Sequence, residues 1–455
     1  MTMELDTISA IATPPGVGAL AIVRLSGPEA IAIAASCCRR ADRIREARGM
    51  NLVVTALLSK DSVVVYQVVV AIYRSPNSYT GEDMVEITCH GGHAVPRQVF
   101  SRLLEAGART AEPGEFTRRA FLNGKMDLSQ AEAVAELIQS GTEKASRAAA
   151  RRLEGGVAKA VESIRGQLIE LLVDIEARLD FMEDEIDPLP AGDLENRLSS
   201  VRGEISRYME TYRQGKLLQQ GTMVVLAGAP NAGKSTLFNT LVQRDRMLVS
   251  PIPGTTRDAV EEWVDLEGVP VKLVDTAGIR TGGGNIEREG IKKTVERIRG
   301  ADIVVLLVDG QNPRVPHPDI VEVLQSTKLI PVWSKADKLR KGKYPVQLPG
   351  PPKLSISAKT EEGINNLKTL IIKNIYNIEY RESDGVIIAE ERQYEALREA
   401  NNALNRIVEA EKRNQGLEIV ALELRESISS LGRITGEEIG DEVLDRIFSK
   451  FCIGK

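Results

Sequence analysis

The stretch Gly228–Ser235, GAPNAGKS, constrains the fold of this chain more than any other feature. It has the spacing G-x-x-x-x-G-K-[ST], follows an apolar run that is typical of a strand, and precedes a predicted helix. In such a loop, glycines allow backbone N–H groups to surround a phosphate at the helix N-terminus. A purely structural glycine-rich turn is the alternative, but it does not require strand, loop and helix in this order. The sequence therefore predicts a nucleotide site in which Lys234 contacts the β- and γ-phosphates and Ser235 binds Mg²⁺.

The region around this loop has the pattern of a parallel sheet. The runs MVVLAG, VKLVDT, DIVVLLVDG and LIPVWSKAD are apolar with little alternation, as expected for strands that are covered on both faces. Predicted helices alternate with these strands. We therefore predict a doubly wound α/β domain over residues 219–378.

Shorter motifs in the same region indicate that the nucleotide is GTP. The motif DTAG at 275–278 follows a strand, and GTTRD lies between it and the P-loop. SKAD at 334–337 ends a later strand, where a buried Asp337 carboxylate would accept two hydrogen bonds that guanine donates and adenine does not. With SAK at 357–359, which would close over the base, these motifs resemble the five signature elements of translation-factor-like GTPases. The fourth element usually begins with asparagine, and here that position is Ser334. The residues predicted to bind GTP are Asn231, Ala232, Gly233, Lys234, Ser235, Thr236, Ser250, Thr255, Thr256, Asp275, Thr276, Ala277, Gly278, Lys335, Asp337, Ser357, Ala358 and Lys359.

Two details bear on how the γ-phosphate is hydrolysed. Ile279 follows DTAG directly, at the position where Ras-like GTPases have a glutamine that orients the attacking water. Asn231 lies inside the P-loop and is followed by SPIPGTTRD, a pairing that resembles potassium-activated GTPases. A K⁺ ion there would offset negative charge in the transition state. Simple capping of the loop by Asn231 is the open alternative.

The two flanks of the α/β region have different patterns. Residues 1–118 mix strand-like runs, ALAIVRLSG, VVVYQVVVAIY and DMVEITCHGG, with turn residues, which predicts an α+β domain. Across Val157–Met182, apolar residues recur every three or four positions, as in a long amphipathic helix. The tail of the chain repeats this helical pattern. We therefore expect residues 119–218 and 379–455 to form one helical bundle that the α/β domain interrupts.

Composition argues against several other classes. A chain of 455 residues is long enough for two to four domains. The net charge of −5 argues against a generally basic nucleic-acid-binding protein, and the basic stretch from Lys144 to Arg152 is more typical of a solvated helix face than of a tRNA groove. The apolar runs are too short for a membrane span, and no basic-then-apolar leader is apparent. Four cysteines without a CxxC pair favour a reducing cytoplasm, and three scattered histidines give no sign of a zinc site.

Both ends of the chain, together with the P-loop region, resemble the MnmE (TrmE) family of tRNA-modification GTPases. The matching blocks are TISAIATPPGVGALAIVRLSG, PNSYTGEDMVEITCHGG, PGEFTRRAFLNGKMDLSQAEA, GAPNAGKSTLFN, GTTRD, DTAGIR and IFSKFCIGK. The resemblance implies a folate-binding N-terminal domain and a helical domain interrupted by a G domain. It also implies a K⁺-stimulated GTPase that works with the FAD-containing partner MnmG on the anticodon stem-loop of certain tRNAs. Together they would add an aminomethyl or carboxymethylaminomethyl group to C5 of the wobble uridine, using methylenetetrahydrofolate or a related tetrahydrofolate such as the formyl derivative.

The resemblance also assigns roles to single residues. Arg24, Glu86, Lys125 and the terminal Lys455 fall on folate-contacting positions. This is chemically reasonable because a folate tail needs cations and the N–H groups of a pterin need a carboxylate. Composition alone would favour solvated surface charges at Arg24 and Lys125. Glu287 matches a glutamate that orients the hydrolytic water through a second water, and its alternative is an ordinary exposed helix charge. The K⁺ positions are Asn231, Ser250, Ile252 and Thr255, and the Mg²⁺ positions are Ser235 and Thr256.

The implied assembly is a homodimer held mainly by the N-terminal domains, joined by MnmG in a heterotetramer, in the cytoplasm and without a membrane. Its G domains would approach each other when K⁺ and GTP bind, and hydrolysis would reset them. The alternative from another class is a regulatory GTPase, such as a ribosome-assembly factor without covalent RNA chemistry. The folate-type blocks at both ends and the lack of an evident KH motif favour the first. A dimer scaffold timed by the GTPase is a third interpretation.

The chain ends FCIGK, and its cysteine, Cys452, has several possible roles. Gly454 and Lys455 do not fit a prenylation signal, and zinc has no partners nearby in the sequence. Burial as a small apolar residue is the default for a lone cysteine. The family resemblance implies instead a functional thiol near the folate carbon and the wobble base, which either handles intermediates or acts as a general acid. Cys452 and Glu287 are therefore the candidate catalytic residues.

Overall fold

The computed structural model describes residues 6–180, 192–247, 261–276, 285–338, 344–376, 385–413, 415–437 and 439–455, without the side chains of 285–288 and 376. The chain divides into two compact units. The terminal unit comprises Met1–Ala135 and Gly432–Lys455, and the central unit comprises Glu136–Leu431. The four predicted domain segments are a finer division that these units do not test. No helix in the described ranges is long and apolar enough to cross a membrane.

A six-stranded sheet forms the centre of the terminal unit. Its strands lie in the spatial order third, fourth, fifth, second, first, sixth, and neighbours pair antiparallel except the first and the sixth. The three strand-like runs predicted at this end of the chain are the second, fourth and fifth strands, so that prediction is confirmed. The strands are β1 (Ile8–Ile11), β2 (Leu20–Ser26), β3 (Asn51–Leu58), β4 (Val64–Tyr73), β5 (Met84–His90) and β6 (Arg109–Thr110).

Helices cover one face of this sheet. On β4, the side chains of Val68, Val70 and Ile72 are buried in alternation with more exposed neighbours, which is the period of a strand with one covered face. They share a core with residues of the first three helices. A smaller cluster joins β1 to the fourth helix through Ile8 and Phe116. The helices are α1 (Ala30–Ser36), α2 (Ala41–Arg45), α3 (Val95–Glu105), α4 (Glu115–Leu122) and α5 (Leu128–Gln139).

The central unit begins with the long helices α6 (Glu143–Leu153), α7 (Gly156–Asp180) and α8 (Asp193–Gln220). The predicted apolar face of α7 is confirmed except at Leu179, which is 37% exposed, because the other members in the described part of the helix are buried. Met182, the last member of that predicted face, lies outside the described residues. The buried members are Val157, Val161, Ile164, Leu168, Leu171 and Ile175.

A second six-stranded sheet follows. It comprises β7 (Thr222–Gly228), β8 (Glu261–Leu266), β9 (Val269–Asp275), β10 (Ile303–Asp309), β11 (Leu329–Ser334) and β12 (Leu354–Ser355). The spatial order is β12-β11-β10-β7-β9-β8, and every pair is parallel except β8 with β9. Helices α9 (Lys234–Asp245) and α12 (Ile364–Tyr376) share a core with one face, and α10 (Asn285–Arg299) and α11 (Pro318–Leu324) with the other. Coverage on both faces explains why these strands are continuous apolar runs.

Helices that come before and after the second sheet along the chain pack together. These are α8 before the sheet and α13 (Glu391–Lys412) after it, with α14 (Leu417–Thr435) following. The rings of Tyr212 on α8 and Tyr394 on α13 stack with centroids 4.6 Å apart. Segments that are far apart in sequence therefore form one helical layer.

A buried polar cluster lies where the chain enters and leaves the sheet. Arg152 of α6 is 4% exposed, pairs with Glu136 and donates to the carbonyl of Ile387 at 3.3 Å. Gln219, at the end of α8, donates to the carboxylate of Glu390, directly before α13. Arg152 is therefore an exception to the solvated face predicted for its basic stretch, because it is buried and paired.

The last helix, α15 (Asp441–Phe448), returns to the terminal unit and packs on α4. Arg118 of α4 forms an ion pair with Asp445 of α15 at 3.0 Å. The rings of Phe448 and Phe451 lie 5.4 Å apart, and both side chains are buried. This packing fixes the path of the final residues.

Candidate functional site

The P-loop joins β7 to α9. Gly228 ends the strand at φ +148°, and a Cβ there would collide with the carbonyl oxygen of Leu307. Lys234 begins α9 and is 5% exposed, and its Nζ donates to the carbonyl oxygens of Gly228 at 3.1 Å and Ala229 at 3.0 Å. The loop therefore wraps around a buried ammonium at the start of a helix, which is the geometry that binds phosphate. Asn231, Ser235 and Thr236 are exposed around it, Gly233 is intermediate and Ala232 is buried.

The DTAG motif lies beside the P-loop. Asp275 ends β9 and is buried, and β9 pairs in parallel with β7 so that Asp275 lies opposite Leu226. The hydroxyl of Thr276 donates to the carbonyl of Leu226 at 2.8 Å. Adjacent strands thus bring the P-loop and the first two residues of DTAG to the same edge of the sheet. Ala277 and Gly278 lie outside the described residues.

The predicted base-binding residues meet at the ends of β11 and β12. The hydroxyl of Ser357 donates to Asp337 at 2.7 Å. This hydrogen bond is the main reason that the pKa of Asp337 lies below its ordinary value, so the side chain is held as an acceptor. The expectation that this carboxylate is buried is wrong, because Asp337 is exposed. A bound base would have to supply the burial.

Ser334, the unusual first residue of SKAD, is buried, and its hydroxyl donates to the carbonyl of Val308 on β10 at 3.2 Å. Next to it, Lys335 has φ +58° and pairs with Asp309 at 2.7 Å. Burial tends to raise the pKa of Asp309, but the hydrogen bond from Lys335 and two backbone N–H groups lower it overall. Both residues therefore brace the motif against β10. On the other side, Thr240 of α9 donates to the carbonyl of Ala358 at 3.1 Å, and Lys359 is exposed.

Several predicted residues of the nucleotide site cannot be placed. Glu287 is in α10, and its side chain is not described. The others lie outside the described ranges, so their roles stay predictions: Ser250, Ile252, Thr255 and Thr256, together with Ala277 and Gly278. In the part of the chain that the structure describes, no three His, Cys, Asp or Glu side chains form a metal-binding group.

On the other sheet, Arg24 and Glu86 lie opposite each other on β2 and β5. Arg24 donates to Oε1 of Glu86 from Nε at 2.9 Å and from Nη2 at 2.7 Å, and from Nη1 to the carbonyl oxygen of Gly454 at 3.3 Å. The structure therefore brings two of the predicted folate residues together with the end of the chain.

Two aromatic residues that the sequence analysis did not select contact this arginine. The guanidinium carbon of Arg24 lies 5.4 Å from the ring centroid of Tyr79 and 5.5 Å from that of Phe116. The hydroxyls of Tyr79 and Thr117 share a hydrogen bond of 2.9 Å. Aromatic faces attract a guanidinium and restrict its orientation. Both rings occur in blocks quoted above, PNSYTGED and PGEFT, and that was the only signal for them in the sequence.

The two lysines predicted for the folate site differ in their surroundings. The pKa of Lys455 is lowered, first by burial and then by the charge of Arg24, while the charge of Glu86 acts in the opposite direction. Lys455 therefore lies near the Arg24–Glu86 ion pair. Lys125 is exposed and donates to the carbonyl of Pro76 at 3.0 Å. Lys125 therefore contacts the loop that carries Tyr79.

Cys452 differs from the other three cysteines. Cys37, Cys38 and Cys89 are buried, and burial raises the pKa of Cys38 to about 12, whereas Cys452 is exposed. Default burial is therefore wrong for Cys452. Its neighbours are fixed, because Phe451 is buried and Ile453 forms an antiparallel bridge with Pro113.

Close packing at two glycines, Gly114 and Gly454, holds the end of the chain. Gly114 has φ +69°, and a Cβ there would lie 2.6 Å from the carbonyl oxygen of Phe448 and 3.1 Å from Cβ of Phe451. A Cβ on Gly454 would lie 2.9 Å from Cα of Ala12. The backbone is thus closely packed on both sides of Cys452 while its thiol stays accessible.

Comparison with known proteins covers both units. The family model for the MnmE helical domain matches residues 128–452, and the model for the GTP-binding protein TrmE N-terminus matches residues 7–125. The tRNA modification GTPase MnmE of Geobacter metallireducens is 38% identical over 455 residues, which cover 99% of each chain. The protein of the same name from Syntrophus aciditrophicus is 40% identical over 458 residues and 100% of each chain. The solved G domain of the T. maritima FeoB iron transporter is 27% identical and covers 34% of this chain and 98% of its own, with a TM-score of 0.26.

Proposed function

This chain belongs to the MnmE family of tRNA modification GTPases, and we propose that it hydrolyses GTP as part of tRNA modification. The observation that carries the proposal is the loop around Lys234, a buried ammonium at the start of α9, in a chain that is similar to MnmE proteins along its whole length. In this proposal Lys234 binds the β- and γ-phosphates and Ser235 holds Mg²⁺. Asp337, which accepts a hydrogen bond from Ser357, selects guanine.

We propose that hydrolysis is stimulated by K⁺. Hydroxyl and carbonyl oxygens suit hard cations. Each of the implied K⁺ positions Asn231, Ser250, Ile252 and Thr255 can offer such an oxygen, as can Ser235 and Thr256 for Mg²⁺. The support comes from the family resemblance. GTP turnover should be faster in KCl than in NaCl at equal ionic strength. Equal rates would contradict the K⁺ proposal and leave the GTPase proposal intact.

We propose that Glu287 orients the attacking water. Glu287→Ala should slow hydrolysis and leave nucleotide affinity unchanged, since the carboxylate would act only in the chemical step. Glu289→Ala is a matched control, because Glu289 is an exposed residue of the same helix and pairs with Lys293. Loss of nucleotide binding in Glu287→Ala would indicate a structural role instead.

We propose a folate site around Arg24. The donor set fits a tetrahydrofolate, because two cations, Arg24 and Lys455, suit the acidic tail and the carboxylate of Glu86 suits pterin N–H groups. Lys125, whose ammonium donates to the carbonyl of Pro76, would also contact the tail. When bound, the folate would supply a one-carbon unit. Glu86→Gln should abolish methylenetetrahydrofolate binding, whereas Glu105→Gln, on the exposed end of α3, should not; equal affinities would contradict this assignment.

We propose that Cys452 acts at the folate carbon or the wobble base, as a general acid or in handling an intermediate. Its exposed thiol on a fixed backbone supports this role. Cys452→Ser should abolish modification and leave GTP hydrolysis unchanged. Retained modification would remove Cys452 from the mechanism.

We propose that the chain is a homodimer held through the terminal unit. β3 is an edge strand, and apolar side chains of β3 and of the turn and strand that follow it are exposed, which marks an interaction surface on a folded protein. Leu52→Glu with Val54→Glu should give monomers in sedimentation analysis. Val346→Glu, at an exposed apolar residue of the central unit, is the matched control. Dimers in the double variant would contradict this interface. The exposed residues of these segments are Leu52, Val54, Val63, Val64 and Val65, and Met50, directly before β3, is exposed as well.

We also propose that residues 219–378 are a G domain inserted into a helical domain formed by 119–218 and 379–455, after an N-terminal domain of 1–118. The packing of α8 on α13 supports this arrangement. In this proposal the chain works in the cytoplasm with a flavoprotein of the MnmG type and adds an aminomethyl or carboxymethylaminomethyl group at C5 of the wobble uridine.

One experiment tests the complete reaction. Wobble uridines are analysed by mass spectrometry in tRNA from a bacterial strain that lacks its own MnmE gene, with and without this chain. Restored C5 modification supports the proposal. GTP hydrolysis by the purified chain without restored modification would favour a regulatory GTPase.

A further inference from the structure

The hairpin of β8 and β9 connects the two nucleotide motifs that flank it. β8 begins at Glu261, shortly after GTTRD, and β9 ends at Asp275, the first residue of DTAG. The strands pair without interruption from Glu261 with Val274 to Leu266 with Val269. Six paired residues form a stiff arm of about 20 Å. One end of this arm comprises Glu261, which follows GTTRD in the sequence, and Asp275 of DTAG, and the other end is the turn at Glu267 and Gly268.

Helix α6 holds the turn of this hairpin. The hydroxyl of Thr142 donates to the carbonyl oxygen of Gly268 at 2.9 Å and accepts from the backbone N–H of Ala145 at 3.2 Å, so it also caps α6. Thr142 is 5% exposed. The stem of Lys144 lies against Gly268, at φ +88°, where a Cβ would collide with it. A buried hydroxyl that satisfies both elements is costly to leave unpaired.

Helix α8 holds the side of the hairpin. Gly221, the residue after α8, has φ +71°, and a Cβ there would lie 2.5 Å from Cζ3 of Trp263 on β8 and 2.7 Å from the carbonyl oxygen of Pro270 on β9. Both strands therefore contact the end of α8 directly. The hairpin is in contact with two helices of the central unit as well as with its own sheet.

We propose that this hairpin transmits the nucleotide state to the helices, and that Thr142 is the positioning residue that couples α6 to it. The proposal rests on the GTPase function proposed above. In this proposal the two strands, which are paired along their whole length, move as one body, so a shift of either motif displaces the turn. The Thr142–Gly268 hydrogen bond must then either move α6 or break, so the nucleotide and α6 bias the same element.

Amide hydrogen exchange of the full chain tests the coupling. The chain is compared with GDP and with a non-hydrolysable GTP analogue, in the presence of Mg²⁺ and K⁺. We expect peptides from β8–β9 and from the first turn of α6 to change protection together. In Thr142→Val, the hairpin should still respond to the nucleotide, while the response of α6 is lost. Thr142→Ser, which retains the hydroxyl, should restore it.

Two glycine substitutions distinguish a loss of coupling between the hairpin and α6 from a local loss of stability. Gly268→Ala forces the Lys144 stem away from the turn and should also remove the α6 response. Gly192→Ala is the matched control, because Gly192 has a similar φ of +83° and no neighbour within 4 Å of a built Cβ. An α6 response that persists in Thr142→Val and Gly268→Ala, or a hairpin response without an α6 response in the unmodified chain, would overturn the proposal. Failure to bind GTP would overturn the proposed function, and this coupling with it.

Discussion

The two sheets of this chain carry candidate sites that are assembled in different ways. On the central sheet, the P-loop, DTAG and SKAD follow the carboxyl ends of the parallel strands β7, β9 and β11. Each motif is a short continuous segment, and the strand before it sets its position. On the terminal sheet, Arg24 comes from β2, Glu86 from β5, and the carbonyl that Arg24 contacts belongs to Gly454, 430 positions away.

This difference determines which substitutions matter. A site made of continuous motifs is lost by changing a residue of the motif. A site assembled from distant segments is also sensitive to residues that touch no ligand and only hold the segments together, such as Gly114. The predictions below test this contrast.

The largest expected effect is on the central site. Lys234→Ala should lower the rate of GTP hydrolysis roughly 10²- to 10³-fold, because it removes the cation that contacts the phosphates. Turnover at saturating GTP and methylenetetrahydrofolate affinity are measured together, with Lys373→Ala, at an exposed lysine of α12, as the control. Unchanged folate affinity would support two independent sites. Hydrolysis that survives Lys234→Ala would contradict the role of this lysine.

Base selection should be the next largest effect. Asp337→Asn should weaken GTP binding roughly 10- to 100-fold, because an amide can match only one of the two guanine donors. It should improve binding of xanthosine triphosphate, whose ring offers one donor and one acceptor there. Competition titrations with both nucleotides measure the change. If the preference for GTP is retained in Asp337→Asn, Asp337 does not read the base.

At the terminal site, a residue without ligand contact should have a substantial effect. Gly114→Ala should cost about 1–3 kcal/mol through overpacking against Phe448 and Phe451 and should displace the tail. Reaction of the Cys452 thiol with a maleimide should then change in rate. Gly124→Ala is the matched control, because Gly124 has the same φ of +69° and no neighbour within 4 Å. If the Cys452 thiol reacts with maleimide at the same rate in the two variants, packing at Gly114 does not position the end of the chain.

Acid should destabilise the terminal unit progressively. Burial tends to raise the pKa values of Asp6 and Glu115, but hydrogen bonds from Arg109 and Arg119 lower both overall. Their stabilisation is therefore present above the unfolded pKa values of about 4 and is lost as the pH falls through the lower folded values. Hydrogen exchange of β1 and β6 between pH 6 and pH 3 should show it. Glu115→Gln should reduce the pH dependence of hydrogen exchange. If the exchange profile is unchanged in this variant, the acid sensitivity does not come from Glu115.

The sequence predicted the central site better than the terminal one. GAPNAGKS, DTAG and SKAD each carry their own geometry, so strand and loop order sufficed to place Lys234, Asp275 and Asp337. Nothing local to Arg24 indicates that Tyr79, Phe116 and Gly454 surround it, because those contacts depend on how three segments meet. Only family resemblance selected Arg24. The exposure of Asp337 was also missed, since a strand end does not reveal how deep it lies.

The polar cluster at the entry to the central sheet has a consequence for how this chain can be divided. Gln219 and Glu390 are joined side chain to side chain, which places their Cα atoms within about 10 Å, a gap that roughly three extended residues can span. The 170 residues between them therefore leave the helical layer and return to it at nearly the same place. Cutting them out and rejoining the ends would leave α8 beside α13. The segment that carries the central sheet should therefore be removable by protein engineering, because the two helices that flank it already pack together.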